Sequence, residues 1–252
     1  MKVLFVNPSK WGRGITPIWI ATHSAILKKS GFKVDLFDAT FYSNWTDNEI
    51  GYNTKNNQYK PSKYNEYIKF NDLNIFDELK KKIKEFDPDI IFWSALSSHI
   101  HGEGEYVNFQ YGYELVNEFK GKSLIISGGL QITADVKSMS EKYPLVDIFI
   151  GGESELILNE IAEKYSEVQK NKNTLKDELK KINGISFFNN EKLETNRKQK
   201  IYETLDILPN YDYSLFDDQI FYRAYNGEVL RAIDYEMSRG CIYSCSYCVE
   251  TV

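Results

Sequence analysis

The stretch SLIISGGLQIT, residues 123–133, contains the strand–turn–helix unit from which the fold can be predicted. It begins with an apolar run that ends in Gly-Gly, and a helical segment follows near residues 134–143. A short, continuous apolar run of this kind is typical of a strand that is buried on both faces of a parallel sheet. The same unit occurs at residues 146–155, where VDIFIGGESE again passes through Gly-Gly into a helix.

Three more apolar runs extend this pattern towards the N-terminus: DIIFWSAL at 89–96, KVDLFDAT at 33–40 and KVLFVNP at 2–8. Helical segments separate them. The first is predicted to begin with Thr16 as N-cap and Pro17 as its first residue, and to end at Ser30-Gly31. Strand and helix thus alternate five times. This predicts an α/β fold in residues 1–165, a Rossmann-like domain with a doubly wound, five-stranded parallel sheet.

Ligands of such sheets bind at the carboxyl ends of the strands. The predicted loops at that edge are residues 7–16, 38–40, 94–104, 128–133 and 151–155. Four of the five contain glycine, which lets the backbone approach a bulky ligand closely. Glycine also makes tight turns between strand and helix, and each Gly-Gly pair alone supports both interpretations.

The other segments are less regular. Residues 41–73 have no apolar period, and we expect a long excursion near the ligand edge rather than a folded domain. Residues 166–227 are interpreted as a linker that contains a hairpin at 184–196 with its turn at Asn189-Asn190. The run EVLRAIDYEMSRG, residues 228–240, predicts a strand that enters the final loop, so that residues 228–252 begin another domain.

Composition limits the classes of partner. The net charge is −5, and Lys and Arg are spread along the chain, so a nucleic-acid backbone is not an expected partner. No apolar stretch approaches the roughly 20 residues of a membrane helix. The apolar run at the N-terminus stops at Val6 without a cleavage site, so it is interpreted as a strand rather than a signal peptide. We therefore expect a cytoplasmic protein with no membrane partner.

The 3 cysteines are confined to one loop, SRGCIYSCSYCVE, at Cys241, Cys245 and Cys248. An odd number in so tight a cluster is not a disulfide framework. The spacing C-x3-C-x2-C can hold three irons of a 4Fe–4S cluster and leave the fourth iron open for a substrate group. Structural zinc with one histidine is an alternative, but the chain's 3 histidines all lie far upstream. Three buried thiols that act as small hydrophobes are another.

This loop resembles the cluster loop of radical S-adenosylmethionine enzymes. Ser238-Arg239-Gly240 before it is similar to the opening of the loop in the family's cobalamin-binding branch. GGLQIT, GGESE and the segment LDILPNYDYSLF, residues 205–216, resemble the same branch and occur in the expected order. The resemblance covers nearly the whole chain and is weakest at residues 41–73. It implies that residues 228–252 are the first strand and the cluster loop of a radical S-adenosylmethionine (β/α) barrel.

The resemblance implies three cofactors: the 4Fe–4S cluster, S-adenosylmethionine next to Tyr247, and cobalamin at the sheet edge. An electron from the cluster would cleave S-adenosylmethionine to a 5′-deoxyadenosyl radical, which abstracts a hydrogen from the substrate. The implied reaction is methylation or another radical transformation of a small molecule, with a reductant such as flavodoxin or ferredoxin. The implied cobalamin contacts are small or polar edge residues: Asn7, Ser9, Thr16, Ser94, Ser97, Ser98, Gly128, Gly129, Gln131, Thr133, Gly151, Gly152 and Glu153.

Two departures from the family pattern matter. Only residues 249–252 follow the cysteine motif, so we expect the chain to be a fragment that is not active alone. The motif Asp-x-His-x-x-Gly is absent, so we expect cobalamin to bind without a histidine ligand on cobalt. His99 and His101, in a predicted loop at a strand end, are the only histidines that could be exceptions. The alternative function is a non-catalytic module for cofactor binding or electron transfer. A nucleotide-binding protein is weakened by the lack of G-x-G-x-x-G.

Overall fold

The computed structural model describes residues 1–10, 16–46, 60, 62–95, 109–117, 119, 121, 123–240, 243, 245 and 246. The strands are β1 (Lys2–Asn7), β2 (Lys33–Asp38), β3 (Ile90–Ala95), β4 (Leu124–Gly129), β5 (Ile148–Ile150), β6 (Ile185–Asn189), β7 (Lys192–Thr195), β8 (Tyr222–Tyr225) and β9 (Glu228–Arg231). The helices are α1 (Ile18–Lys29), α2 (Ile75–Phe86), α3 (Phe109–Val116), α4 (Leu130–Lys142), α5 (Glu155–Glu167) and α6 (Lys172–Leu179). Short 3-10 turns occur at Tyr64–Glu66, Leu205–Ile207 and Asp218–Phe221.

The main sheet has the strand order β2-β1-β3-β4-β5-β6-β7, and its first five strands are parallel. The order of these five is that of a doubly wound fold whose direction of winding changes between β1 and β3. At such a switch point the loops after the two strands diverge and leave a crevice at the carboxyl edge. The predicted α/β class and the five parallel strands are therefore confirmed.

Each central strand is apolar on both faces, because helices cover both sides of the sheet. In β1, Val3 and Phe5 pack with α1, α5 and α6, while Leu4 and Val6 pack with α2, α3 and α4. All four side chains are fully buried. The continuous apolar run that predicted a parallel strand is thus required by the two helix layers. Among the described helices, none is long and apolar enough to cross a bilayer.

The prediction of a sheet with only five strands is wrong, because the hairpin β6–β7 continues it. β6 pairs antiparallel with β5, and Ile185 and Phe187 are buried in the same core as α5 and α6. An apolar edge strand such as β5 would otherwise leave its outer backbone groups unpaired. The turn lies at Asn190-Glu191, both with positive φ, one residue later than predicted.

The predicted first strand of a barrel is also different. Residues 228–231 form β9, which pairs with β8 through an Asn226-Gly227 turn, and residues 232–240 contain no strand. A strand needs a neighbouring strand for its backbone hydrogen bonds, and residues 232–240 instead have single hydrogen bonds, such as that from the N–H of Ala232 to the carbonyl of Phe221.

The start of α1 differs from the prediction by one position. Pro17 is the N-cap and no side chain caps the helix, so the N-cap role of Thr16 is wrong. The end is as predicted: Gly31 has φ of 81°, and its N–H donates to the carbonyl of Lys28.

Part of the segment 41–73 packs against the C-terminal third of the chain. Phe41, Tyr64 and Ile68 form a small apolar cluster with Ile220 and Phe221. Residues 42 and 71 form an isolated parallel bridge. Residues 47–59 and 61 lie outside the described residues, so the predicted excursion stays a prediction there.

Candidate functional site at the carboxyl edge of the sheet

The structure brings most of the predicted cobalamin contacts to one edge, where β1, β3, β4 and β5 end. Gln131 and Gly152 are exposed there, and Gly129, Thr133, Gly151 and Glu153 are half-buried. Asn7, Ser9, Thr16, Ser94 and Gly128 are buried behind them. Ser97 and Ser98 of the prediction lie outside the described residues, as do His99, His101 and Tyr247.

The fold alone requires a glycine at position 129. It joins β4 to α4 with a φ of 123°, and a Cβ there would come within 2.4 Å of the carbonyl oxygen of Ala95. Gly151 is different, because an added Cβ would meet nothing closer than 3.8 Å. Close contacts therefore do not require glycine at position 151, although its N–H already donates to the carbonyl oxygen of Gly184 at 2.8 Å.

Thr133 joins the two Gly-Gly turns. Its Oγ1 donates to the carbonyl of Gly129 at 3.1 Å and accepts from the N–H of Gly152 at 2.8 Å. The hydroxyl is thus occupied by the protein in this structure. It fixes the spacing of the two turns, so its contribution to a ligand site is the shape of the edge.

Asn7 belongs to a polar network at the end of β1 and β2. Its Nδ2 donates to Asp38 Oδ1 at 2.9 Å, and the hydroxyl of Thr40 donates to the same oxygen at 2.6 Å. Burial raises the pKa of Asp38, although these hydrogen bonds act in the opposite sense. Asp38 and Thr40 were not among the predicted site residues, although the loop 38–40 was predicted at this edge.

Thr16 contacts the C-terminal third of the chain. Arg223 Nη2 donates to Thr16 Oγ1 at 3.0 Å and to Asp234 Oδ2 at 2.6 Å. The backbone N–H of Thr16 donates to the same Asp234 oxygen at 2.8 Å. The chain from 223 to 234 therefore lies beside the loop after β1. Nothing in the sequence pairs Arg223 with Asp234 or Thr16.

A charged cluster lies beyond β5, where the turn 151–155 enters α5. Arg239 Nη1 is 3.3 Å from Glu153 Oε1, its Nη2 is 2.6 Å from Glu155 Oε1, and its Nε is 2.8 Å from Glu236 Oε2. Burial by itself raises the pKa of Glu155, but positive charge in contact with it, that of Arg239, holds the pKa below its ordinary value. The sequence drew attention to Glu153 and to Arg239, but in separate motifs.

His23 lies behind this cluster and cannot serve as a metal ligand in the conformation seen. Its Nδ1 lies 2.5 Å from the carbonyl oxygen of Trp19, which only accepts, so Nδ1 carries the hydrogen. Burial lowers the pKa of His23 and favours the neutral ring. The hydroxyl of Ser154 then donates to Nε2 at 3.0 Å. The histidine of the zinc alternative would have to come from outside the described residues.

Of the three predicted cluster ligands, Cys245 is described and half-buried, while Cys241 and Cys248 lie outside the described residues. In the described part of the chain, no group of three or more His, Cys, Asp and Glu side chains could hold a metal ion. The structure therefore leaves the cysteine site a prediction.

No protein family model matches the chain. The chain is similar to the anaerobic magnesium-protoporphyrin IX monomethyl ester cyclase of Cereibacter sphaeroides, at 21% identity over 257 positions. These positions cover 99% of this chain and 35% of the cyclase. It is also similar to an uncharacterised methyltransferase of Pyrococcus horikoshii, at 24% identity over 70% of this chain and 35% of the relative.

Among solved structures, the chain is similar to the radical S-adenosylmethionine methyltransferase TsrM of Kitasatospora setae, with a TM-score of 0.53 and 16% identity. The match covers 78% of this chain and 30% of TsrM. TsrM has been solved with cobalamin and a [4Fe–4S] cluster bound, and with tryptophan and an analogue of S-adenosylmethionine. At this identity the likeness shows the fold.

The chain thus spans about a third of the length of the proteins it matches. Taken together, these findings confirm the resemblance to cobalamin-dependent radical S-adenosylmethionine proteins that the motifs indicate.

Proposed function

We propose that this chain is the cobalamin-binding and cluster-loop part of a radical S-adenosylmethionine enzyme that methylates or otherwise transforms a small molecule. The observation that carries the proposal is the position of residues 232–240. This segment runs along the carboxyl edge of the doubly wound sheet, where Asp234 and Arg239 contact edge residues, and leads to the three cysteines. The proposal therefore puts both cofactor sites at this one edge.

The described residues fit a corrinoid at this edge. Gly151 carries no side chain and is half-buried there, Gln131 is exposed, and Glu153 is half-buried at the same edge, with Ser94 buried behind them. Both ring nitrogens of His23 are occupied, so no described histidine is free for cobalt. The fit therefore favours cobalamin without a protein histidine on the metal.

Cys241, Cys245 and Cys248 would hold the cluster, and Tyr247 would contact S-adenosylmethionine. When bound, the cluster supplies the electron for cleavage of S-adenosylmethionine and the corrinoid supplies a methyl carrier. The protein's own part is to hold the cysteine loop at the sheet edge. We place the enzyme in the cytoplasm, with a flavodoxin or ferredoxin as reductant, and the boundaries near residues 165 and 227 stay a prediction.

The proposal is tested by anaerobic reconstitution with iron and sulfide. Wild-type protein should bind iron, and alanine at any of the three cysteines should remove most of it, because each thiolate holds one iron. Ser246→Ala changes a residue of the same loop that is not a predicted ligand, and it should leave the iron content unchanged.

The same sample separates an enzyme from a non-catalytic module. S-adenosylmethionine should change the electron paramagnetic resonance spectrum of the reduced cluster, because an iron without a protein ligand can bind it. A spectrum that does not respond would favour the module for electron transfer. Full iron content in the triple alanine variant would refute the cysteine site.

A further inference from the structure

Arg239 makes a separate contact from each of its three guanidinium nitrogens. Nε reaches Glu236, Nη1 reaches Glu153 and Nη2 reaches Glu155, all within 3.3 Å. Two of these carboxylates, Glu153 and Glu155, lie more than 80 residues away in sequence, in the turn that follows β5. Because the guanidinium is planar and rigid, three contacts fix its position better than one point charge could.

The contact with Glu155 is the most buried of the three. Glu155 is 5% exposed, and its Oε2 has no hydrogen-bond partner among the described residues. A buried carboxylate needs a compensating charge, and Arg239 is in direct contact with it. The arrangement therefore depends strongly on Arg239 remaining in place.

Arg239 also occupies a particular place along the chain. Residues 232–240 belong to no strand or helix, so side chains rather than a backbone ladder hold them. After Arg239, Gly240 has a φ of 86° and an open environment, with no atom within 4 Å of an added Cβ. Arg239 is thus the last firm attachment before Cys241, two residues further on.

We propose that Arg239 is a positioning residue that fastens the entrance of the cysteine loop to the turn 151–155 at the ligand edge. What it positions, the cluster loop next to the cobalamin edge, rests on the proposed function. Because Glu153 belongs to that edge, occupation of the edge by a corrinoid changes the mobility of the loop through Arg239. The two predicted cofactor sites are coupled by this contact.

Hydrogen–deuterium exchange of the protein without cofactors tests the attachment. In Arg239→Ala, amides of residues 236–246 should exchange about tenfold faster or more, while β1 to β5 keep their protection. Arg239→Lys should recover only part of the protection, because an ammonium cannot contact three carboxylates in a fixed fork. The matched control is Arg231→Ala, which removes an exposed ion pair with Asp218 and should not change residues 236–246.

The single alanine variant leaves Glu155 buried without its partner and can fail to fold. The double variant Arg239→Ala/Glu155→Gln removes that charge, and it should fold and show the same fast exchange of the loop entrance. Wild-type exchange at 236–246 in both variants would overturn the proposal. Equal acceleration across the whole sheet would also overturn it, because Arg239 would then serve stability alone.

The coupling between the cobalamin edge and the cysteine loop is tested by adding hydroxocobalamin. In the wild type it should slow exchange of residues 236–246, and in the double variant it should bind but leave their exchange unchanged. Protection of the loop in the double variant would overturn the coupling. If hydroxocobalamin does not bind the wild type, the proposed function fails, while the exchange data without cofactor still decide the role of Arg239.

Discussion

Gly129 shows how a single residue can be required for a reason that the sequence does not separate from ligand binding. The residue ends β4 and starts α4 with φ of 123° and ψ of 176°. This region of backbone conformation is essentially restricted to glycine. The carbonyl oxygen of Ala95 occupies the place of a side chain. Gly31 also has a positive φ, of 81°, but its surroundings are open.

We predict that Gly129→Ala lowers the free energy of unfolding by about 3 to 5 kcal/mol, from backbone strain together with the contact to Ala95. Gly31→Ala should cost only about 1 to 2 kcal/mol, because it adds strain alone. Urea denaturation followed by tryptophan fluorescence measures both. Equal losses in the two variants would mean that the close approach at Ala95 contributes nothing.

At this scale the sequence predicted which residues lie at the carboxyl edge of the sheet, but not what they contact. Thr16 was expected to cap a helix and to face a ligand, yet its hydroxyl accepts from Arg223, 207 residues later. Thr133 was expected to contact a ligand, yet it links two turns. Partners so distant in the chain leave no local pattern, so only the tertiary structure could identify them.

The strands and helices agree best with the prediction where the local sequence determines them. Apolar runs identified the five parallel strands, and Asn74 caps α2 by accepting from the N–H groups of Phe76 and Asp77. The Asn226-Gly227 dipeptide is a strong hairpin signal, and it could have identified β8–β9. The partner of β6 could not be predicted, because a hairpin pattern does not say which sheet edge it joins.

The segment that follows the hairpin β6–β7 is attached to α1 by Asp212. Its Oδ2 accepts from Ser24 Oγ at 2.5 Å and from Lys28 Nζ at 2.6 Å, and its backbone N–H donates to the carbonyl of Ala21. Burial by itself would raise the pKa of Asp212. The hydrogen bonds from Lys28 and Ser24 outweigh burial and hold the pKa well below its ordinary range.

We predict that Asp212→Asn lowers the free energy of unfolding at pH 7 by about 1 to 3 kcal/mol. The stabilisation exists above the pKa of the unfolded chain, about 4, and is lost as the pH falls towards the lower pKa of the folded protein. The difference between wild type and variant should therefore shrink below about pH 4. Urea denaturation across this range measures it.

The control for this prediction is Asp177→Asn in α6, which removes an exposed pair with Lys180 and should leave stability near that of the wild type. A difference for Asp212→Asn that stays constant from neutral to acid pH would contradict an ionic role for Asp212.

At the scale of the whole molecule, the sheet with its helices and residues 211–240 are held in place by different combinations of interactions. The sheet and its helices are held by two apolar layers of buried side chains. Residues 211–240 are attached both through charged side chains, at Asp212, Arg223, Asp234 and Arg239, and through the small apolar cluster that contains Ile220 and Phe221. The carboxyl edge of the sheet borders both parts, through the contacts of Asp234 with Thr16 and of Arg239 with Glu153.

The carboxyl edge of the main sheet can be tested directly as a ligand site. Wild-type protein should bind hydroxocobalamin saturably, measured by its absorbance. Gly151→Phe should raise the dissociation constant by about tenfold or more, equivalent to about 1.4 kcal/mol, because a bulky aromatic ring would be added at the edge where the corrinoid is proposed to bind. Gly121→Phe is the matched control, since position 121 also has room for a side chain but precedes β4 at the opposite edge. Equal dissociation constants for both variants, with circular dichroism showing both folded, would place the corrinoid elsewhere.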